Sequence, residues 1–497
     1  MNLVHSVEEA ANKTYTENGA VTLATTGSCC LDLFATVGAL RHVSEEEICL
    51  RFMRAYAEDR DIAMKILFFA RDVRGGLGER RAFRVITRWL AGYAKQSVVK
   101  NLSNVPEYGR YDDLLSLLDT ACEAETMSFI AAQWKKDMQA LKEGAAVSLL
   151  GKWLPSANAT NAETVTRAKK VAKALGLRPA DYRKALSALR KQIHILENNL
   201  RVKDYSFNYA AVPSKAMYKY RQAFMRNDEK RYGEFLDSVE KGTASMHTDA
   251  LTPYDVITPI VSQRFSWRCN KRKGFSEEER RAMNVTWNSL PDYTCGENAL
   301  VVVDGSGSMY CERNPLPAAV ALSLGIYFAE RNKGQFKDSF ITFSERPQLV
   351  RIKGKDIVDK VTFCESYDEI ANTNIEAVFR LILNAAQANN VPQAEMPSRI
   401  YIISDMEFDC CVENAELTNF QNMERLYKLA GYKMPEVVFW NVASRNRQQS
   451  VTMNQQGVAL VSGCTPHLFE MLVGGNLSPY ACMMDILNRE RYRNIVA

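Results

Sequence analysis

The sequence has no long run of apolar residues. In 497 residues no stretch approaches the roughly 18 consecutive apolar side chains that a membrane-spanning helix needs. The first residues, MNLVHSVEEAANKTYTENG, also lack the basic and then apolar regions of a secretory signal peptide. We therefore expect a cytoplasmic protein with no membrane partner.

Histidine is scarce, and the spacing of the cysteines argues against a zinc site. The 5 histidines are scattered, and the 12 cysteines form no CxxC motif. The adjacent pairs Cys29–Cys30 and Cys410–Cys411 have the wrong spacing for a zinc knuckle. No nucleophile and base stand together in a recognisable motif, so we expect that the protein is not an enzyme.

Residues 1–290 lack the period-two runs of β-branched residues that mark strands. Apolar residues recur there at intervals of three and four, which indicates amphipathic helices. The clearest stretches are EEEICLRFMRAYAED (45–59), DIAMKILFFARDV (61–73), ERRAFRVITRWLAGYA (79–94), TMSFIAAQWKKDMQALKEG (126–144) and ADYRKALSALRKQIHILENNL (180–200). The pattern predicts an all-α domain of stacked helix pairs, arranged as a solenoid or a ring.

The pattern changes in residues 297–497, where short apolar runs alternate with helical stretches. The runs are ENALVVVDGS, SFITFS (339–344), QLVRI (348–352), RIYIISD (399–405), EVVFWNV (436–442) and GVALVSG (457–463). Helical stretches lie at 317–332, 375–389, 413–431 and 466–474. This alternation predicts a doubly wound, mostly parallel α/β domain, whose ligands would sit at the carboxyl ends of its strands.

A glycine-rich loop follows the first of these strands and carries oxygen donors at alternate positions. They are Asp304, Ser306 and Ser308 in the run DGSGS; Thr373 precedes a predicted helix, and Asp405 ends a later strand. Carboxylate and hydroxyl oxygens are hard donors that suit Mg²⁺ or Mn²⁺. The set predicts a divalent-metal site at one edge of the sheet.

This constellation resembles the metal-ion-dependent adhesion site of von Willebrand factor A domains, a Rossmann-like fold. The resemblance implies that Ser306, Ser308 and Thr373 coordinate the ion directly, while Asp304 and Asp405 act mainly through water. It also implies an open coordination position for a partner's carboxylate, and ligand binding rather than catalysis. Glu407 and Asp409 lie just beyond Asp405, and they are either further ligands behind the first set or solvated acids on a loop.

Basic residues concentrate in one segment of the helical part. Residues 151–231 contain 18 Lys and Arg against 6 Asp and Glu, a local net charge of +12, although the whole chain carries only +5. Such a segment indicates a polyanion partner such as RNA. The candidate RNA-binding residues are Lys152, Lys169, Lys170, Lys173, Arg183, Lys184, Arg190, Lys191, Lys215, Lys219, Arg221 and Arg226. The interleaved Tyr182, Tyr205, Tyr209, Tyr218 and Tyr220 either stack on unpaired bases or pack in the core.

An ordered set of phrases in the helical part resembles one family. The phrases are TTGSCCLDLF (25–34), RDVRGGLGERRAFR (71–84), VPEYGRYDDLL (105–115), GKWLPS (151–156), YRKALSALRK (182–191) and VPSKAMYKYRQAF (212–224). Followed by an A domain, they resemble the TROVE-type proteins of the Ro ribonucleoprotein family. They are more closely similar to its relatives grouped as a domain family of unknown function in microbes and viruses. The resemblance implies a HEAT-like ring or horseshoe of helices, closed by the A domain, that binds small structured RNAs and single-stranded RNA ends.

Two functions follow from these patterns. The first is a ribonucleoprotein scaffold for RNA quality control or nuclease tethering, whose A domain binds a protein partner, such as a nuclease, through Mg²⁺ or Mn²⁺. The second is an adaptor that binds only proteins, for example a partner of an ATPase machine, and that uses the same metal site. The local charge of +12 distinguishes them, because only RNA binding requires it.

Overall fold

The computed structural model describes residues 7, 11–261, 274–311, 314–367, 373–409, 418–473 and 477–497. Up to residue 288 the described chain is mostly helical, and from Ala299 onward strands and helices alternate. This arrangement confirms the predicted mixed architecture, with a helical part followed by a mostly parallel sheet. No helix within these ranges is both long and apolar enough to cross a membrane.

Local sequence explains where the first helices begin and which of their faces is buried. Ser44 caps one of them by accepting a hydrogen bond from the backbone N–H of Glu47, and glutamates fill the first turn, where negative charge is favoured. Ile48, Phe52 and Ala55 recur at helical spacing and are buried. The helices of this part are α1 (Cys29–Phe34), α2 (Glu45–Glu58), α3 (Arg60–Arg71), α4 (Arg81–Tyr93), α5 (Lys95–Val99), α6 (Val105–Tyr108), α7 (Glu123–Lys142), α8 (Leu150–Trp153), α9 (Ala162–Ala174), α10 (Pro179–Gln192), α11 (Leu196–Arg201), α12 (Ser214–Asn227), α13 (Glu229–Glu240), α14 (Pro253–Val261) and α15 (Glu277–Asn288).

The prediction of one continuous helix over 180–200 is wrong. Helix α10 ends at Gln192, and α11 starts only at Leu196. Between them His194 adopts a left-handed φ of 54°, flanked by two β-branched isoleucines that favour a helix less than straight-chain residues do. The periodic pattern continues through the break because the two helices bury faces in similar register.

The C-terminal part is built on a six-stranded sheet. Its strands are β3 (Ala299–Asp304), β4 (Ser339–Phe343), β5 (Leu349–Arg351), β6 (Arg399–Ser404), β7 (Glu436–Asn441) and β8 (Val458–Ser462), and each matches a predicted run. The order is β5-β4-β3-β6-β7-β8, with only β5 antiparallel to its neighbour. The strand order reverses between β3 and β6, so this is the point where ligands bind in open α/β sheets.

Helices cover both faces of this sheet because side chains alternate along its strands. Val301 and Ile403 lie in the apolar cluster that contains the helix after β3. Val302 and Ile402, one residue away on each strand, lie in the cluster on the opposite face. The helices are α16 (Pro317–Arg331), α17 (Ile357–Glu365), α18 (Ile375–Ala388), α19 (Asn419–Leu429), α20 (His467–Met471) and α21 (Pro479–Leu487).

Two of these helices were not predicted, and within the described residues α19 and α20 end earlier than predicted. Helices α17 and α21 span nine residues each, so each offers few repeats of the helical period. The predicted helix at 413–431 is observed as α19, whereas residues 410–417, including the Cys410–Cys411 pair, lie outside the described residues.

A hairpin near the start of the chain lies against the sheet part. Strands β1 (Lys13–Tyr15) and β2 (Val21–Leu23) were not predicted, because each has only three residues. The backbones of Leu23 and Gln449 exchange hydrogen bonds of 3.0 and 2.8 Å, and the Thr16 hydroxyl donates to the carbonyl of Phe408 at 2.6 Å. The N-terminal segment therefore packs on the loops above the sheet.

The C-terminal segment, which follows the sheet part, packs in turn on the helical part. The guanidinium of Arg491 donates to both carboxylate oxygens of Asp72, one of them at 2.7 Å. The Tyr492 hydroxyl donates to the same carboxylate at 3.0 Å, and Asp72 is fully buried. Helix α21 contacts α1 and α3. The two parts of the chain are thus interlocked by both of their ends.

Candidate metal loop and basic helical surface

Asp304 is a fully enclosed carboxyl group at the carboxyl end of β3. It is 1% exposed, and its two oxygens accept different hydrogen bonds. The backbone N–H of Ser306 donates to Oδ1 at 2.8 Å, and the Ser404 hydroxyl, from the end of β6, donates to Oδ2 at 2.6 Å. These contacts fix the carboxyl group at the point where the strand order reverses.

The other predicted metal ligands lie at the same edge of the sheet. The hydroxyls of Ser306 and Ser308 are 3.0 Å apart. Thr373 is buried just before α18, and its hydroxyl donates to the carbonyl of Glu407 at 3.0 Å. Asp405 follows β6 and accepts from Arg445 at 2.9 Å. The fold thus brings three separated stretches of sequence to one loop cluster.

The charges and donor atoms at this edge suit a hard divalent cation. Burial, and next the nearby carboxylate of Asp405, raise the pKa of Asp304. A cation between the two carboxyl groups would relieve both effects, and the hydroxyls supply the oxygen donors that Mg²⁺ prefers. The described residues contain no group of three or more His, Cys, Asp or Glu side chains that could hold a metal; the predicted set combines two carboxyl groups with three hydroxyls.

Glu407 has a structural role that neither sequence interpretation anticipated. It is 2% exposed, so it is not a solvated acid. Its carboxylate accepts hydrogen bonds from the backbone N–H of Glu17 at 2.8 Å, from Asn446 at 2.9 Å and from Gln448 at 2.6 Å. It therefore ties the N-terminal segment to the loop after β7. Asp409 is partly buried, and burial raises its pKa.

The exposed members of the basic segment lie mainly on two neighbouring helices. Helices α9 and α10 pack against each other and bury their apolar residues inward. Their outward positions carry five of the candidate residues, which are Lys169, Lys173, Arg183, Lys184 and Lys191. Within the described part of the chain these five form no ion pair, so their charges face solvent.

Three candidates are instead committed to contacts inside the protein. Lys170 pairs with Asp119 at 2.5 Å and with Glu123 at 2.7 Å. The guanidinium of Arg190 is half-buried and holds the turn at 151–156. Arg221 lies over the ring of Tyr218, 4.0 Å from its centroid, and donates to the carbonyl of that residue.

The remaining four candidates are spread over the turn at α8 and over α12. Lys152 lies 5.4 Å from the ring centroid of Trp153. Lys215 pairs with Asp255 at 3.2 Å, and Lys219 lies 4.8 Å from the ring of Tyr220. Arg226 is exposed near the end of α12. The exposed stripe on α9 and α10 is therefore the densest part of the predicted surface.

Three of the five tyrosines in this segment belong to the core. Tyr182, Tyr209 and Tyr218 are at most 7% exposed, and the hydroxyl of Tyr182 donates to the carbonyl of Pro155 at 2.8 Å. They cannot stack on bases. Tyr205 and Tyr220 are partly exposed.

Comparison with known proteins identifies the family of this chain. A family model described as Domain of unknown function (DUF2828) matches residues 16–129 and 158–293, together half of the chain. The chain belongs to the DUF2828 family. A second model, Domain of unknown function (DUF7788), matches residues 298–481, the sheet part. The predicted likeness to a domain family of unknown function is confirmed.

One curated relative and one solved structure are similar over almost the whole length of this DUF2828 chain. "Uncharacterized protein L728" of Acanthamoeba polyphaga mimivirus is 27% identical, covering 96% of this chain and 87% of its own. The crystal structure of the Deinococcus radiodurans Ro (RSR) protein covers 97% of this chain and 96% of its own, with 13% identity and a TM-score of 0.41.

Sequence reasoning missed two residues that shape the metal loop of this DUF2828 protein. Ser404 precedes Asp405 in the run IISD, so its position at the end of a strand could be predicted from the sequence. Its hydrogen bond to Asp304 could not. Arg445 gives no local signal, because it follows β7 and reaches Asp405 only through the fold.

Proposed function

We propose that this protein is a non-enzymatic ribonucleoprotein scaffold that binds small structured or single-stranded RNA. One observation carries the proposal: five cations are exposed on α9 and α10 and form no ion pair with any described residue. Concentrated positive charge of this kind attracts a polyanion, and binding gains free energy as counterions leave the nucleic acid. RNA quality control or the tethering of a nuclease is the role we infer for such a scaffold.

The proposal extends to a metal-dependent protein contact. Asp304, Ser306, Ser308, Thr373 and Asp405 would hold Mg²⁺ or Mn²⁺, in the manner of a von Willebrand factor A domain. Support comes from the oxygen donors gathered where the strand order reverses, and from the enclosed carboxyl group of Asp304, whose pKa is raised by burial and by the nearby Asp405. When bound, the ion would supply an open position for an acidic group of a partner such as a nuclease.

The helical part is proposed to form a HEAT-like ring or horseshoe closed by the sheet part. The interlocking of the two chain ends supports this idea, since the hairpin of β1 and β2 and the segment after α21 each pack on the other part. A closed arrangement would hold the RNA surface and the metal loop at a fixed separation.

The RNA function can be tested by reversing the exposed charges. Lys169, Lys173, Arg183, Lys184 and Lys191 are changed together to Glu, and Lys170 and Arg190 are left intact because their contacts are internal. Binding of labelled RNA is then measured over a range of salt. Each lost phosphate contact should lower the slope of log affinity against log salt by about 0.7 for single strands, so three real contacts lower it by about 2.

A matched control removes the same charge from the sheet part. Lys333, Lys337, Arg425, Lys428 and Lys433 are exposed there, and changing them to Glu shifts the net charge of the protein equally. The control should retain most of the affinity and nearly the full salt slope. If both variants lose affinity equally, or if the wild-type protein binds no RNA at low salt, the scaffold proposal fails and the protein-binding adaptor takes its place.

A further inference from the structure

Two cations share one indole ring at the junction of α6 and α8. The guanidinium carbon of Arg110 lies 4.4 Å from the ring centroid of Trp153, and the Lys152 ammonium lies 5.4 Å from the same centroid. Among the described residues the Arg110 guanidinium forms no ion pair and no hydrogen bond, although it is only partly exposed. A planar cation held on an aromatic face keeps its hydrogen-bond donors available at its edges.

The turn that presents Trp153 is held rigidly. Arg190 donates to the carbonyl of Gly151 at 3.0 Å, to the carbonyl of Leu154 at 2.8 Å and to the Ser156 hydroxyl at 2.7 Å. A side-chain carbon at Gly151 would approach Leu189 to 2.8 Å, so a glycine is needed for α8 to pack this closely on α10. Such rigidity lowers the entropy that a ligand must overcome when it orders the site.

Charges of both signs surround Arg110. Burial, and next the neighbouring Arg71, lower the pKa of Arg110, whereas Asp112 opposes this shift. Arg71 forms a close ion pair of 2.7 Å with Asp113. Arg80 has a side chain that is 52% exposed, and its contact with Asp112 is longer, at 4.0 Å. An anion bound by the Arg110 guanidinium would offset its burial and its repulsion by Arg71.

The surroundings of Arg110 adjoin the stripe on α9 and α10. Helix α4 presents Arg88 two turns beyond Arg80 on the same side. The pKa of the exposed Asp119 is lowered mainly by Lys170 of α9 and, to a smaller extent, by Arg88 of α4. Asp119 therefore lies between these two helices. Arg88 of α4 and Lys170 of α9 therefore lie on one surface, although they are 82 positions apart in the sequence.

We propose that Arg110, Trp153 and Lys152 form a binding site for single-stranded RNA, with Arg110 and Lys152 on backbone phosphates and Trp153 against an unpaired base. This inference rests on the proposed function and extends it to Arg110, which the basic segment does not include. Guanidinium forks bind phosphate oxygens in pairs, and aromatic rings stack on bases of any sequence. The site lies at the end of the stripe, where a strand lying on α9 and α10 would continue.

The test uses the full chain and a fluorescein-labelled decauridylate. Arg110→Ala should weaken binding about tenfold or more, the effect expected when one good phosphate or base contact is lost. Arg178→Ala removes one arginine charge from the basic segment, at a side chain that is 84% exposed and paired with Asp181, and should change affinity less than about twofold. Arg110→Lys keeps the charge but loses the planar fork, so it should still weaken binding about threefold.

Fluorescence gives an independent measurement. Decauridylate should quench part of the tryptophan emission of the wild-type protein, and that part should disappear in Trp153→Phe. A 20-base-pair RNA duplex provides the comparison, because its bases are not free to stack. Arg110→Ala should affect the duplex less than the single strand.

The outcomes separate this site from the wider proposal. If the wild-type protein binds decauridylate but Arg110→Ala binds it as tightly as Arg178→Ala does, the site is wrong and the scaffold function stands. If Arg110→Ala weakens duplex and single strand equally, or if Trp153→Phe leaves the quenching intact, base stacking here is refuted. If the wild-type protein binds neither RNA, both proposals fall. Unchanged melting temperatures and circular dichroism of the variants would confirm that they fold.

Discussion

The Ser404 hydroxyl donates a 2.6 Å hydrogen bond to Oδ2 of Asp304 and so joins the ends of two neighbouring parallel strands. The other carboxylate oxygen is held by the backbone of the DGSGS loop. Asp304 is therefore oriented by both strands before any ligand arrives. Pre-oriented carboxylates bind metals more tightly, because little order has to be created on binding.

Replacing Asp304 by Ala should abolish Mg²⁺ and Mn²⁺ binding measured by calorimetry, and Ser404→Ala should weaken it by about 10- to 100-fold. Asp304→Ala should leave the protein folded, because the relief of repulsion between two nearby carboxyl groups offsets part of the loss of its two hydrogen bonds. Glu395→Gln removes an exposed carboxylate elsewhere on this part and serves as the control. Unchanged metal affinity in the Asp304 variant would refute the site.

Replacing Arg491 by Ala should destabilise the protein by about 3 kcal/mol, since it leaves the carboxylate of Asp72 buried with less compensation. Arg493→Ala is the control, because that side chain is 74% exposed and its ion pair should contribute less than about 0.5 kcal/mol. Urea unfolding at neutral pH measures both. The double variant Arg491→Ala, Asp72→Asn should recover part of the loss, and equal effects of the two single arginine variants would contradict the prediction.

Glu47 gives the protein a pH-dependent contact between its two parts. Hydrogen bonds from Arg447, and then from Arg51, lower the pKa of Glu47 to about 2. A lowered carboxyl pKa stabilises the folded state above the unfolded pKa near 4.5, and this stabilisation is lost as the pH falls toward 2. After allowance for solvent screening, it should amount to about 1 kcal/mol.

The difference in unfolding free energy between the wild-type protein and Glu47→Gln should therefore be largest at pH 6 and should shrink by pH 3. Glu163→Gln is the control, because Glu163 is 69% exposed and its ion pair lies within one helix. A difference that does not change between the two pH values would show that the contact does not involve the Glu47 carboxylate.

The strands of the sheet could be predicted because each carries its signal locally. Runs such as RIYIIS are apolar throughout, as strands covered on both faces must be. The hairpin of β1 and β2 could not be predicted, because its partners at Phe408 and Gln449 lie about 400 residues away in sequence. Short strands that are stabilised by residues distant in the sequence have no clear pattern of apolar residues of their own.

The basic segment shows the same limit at single residues. Arg190 and Lys191 are adjacent in the sequence and both cationic, yet Arg190 holds a turn and Lys191 is exposed. The count of charged residues predicted where the basic surface lies, but it could not show which of its residues are exposed and which are bound inside the protein. Arg110 lies outside the segment altogether, and only the fold brings it to Trp153.

The contact between Arg491 and Asp72 has a consequence for how the chain is made. The two residues are 419 positions apart, so a ribosome releases Asp72 long before its partner exists. Until then the helical part must keep a carboxylate in its interior without the matching cation, or leave that region open to water. We expect a nascent helical half to stay loosely packed and dependent on chaperones until residues 479–497 emerge and complete it.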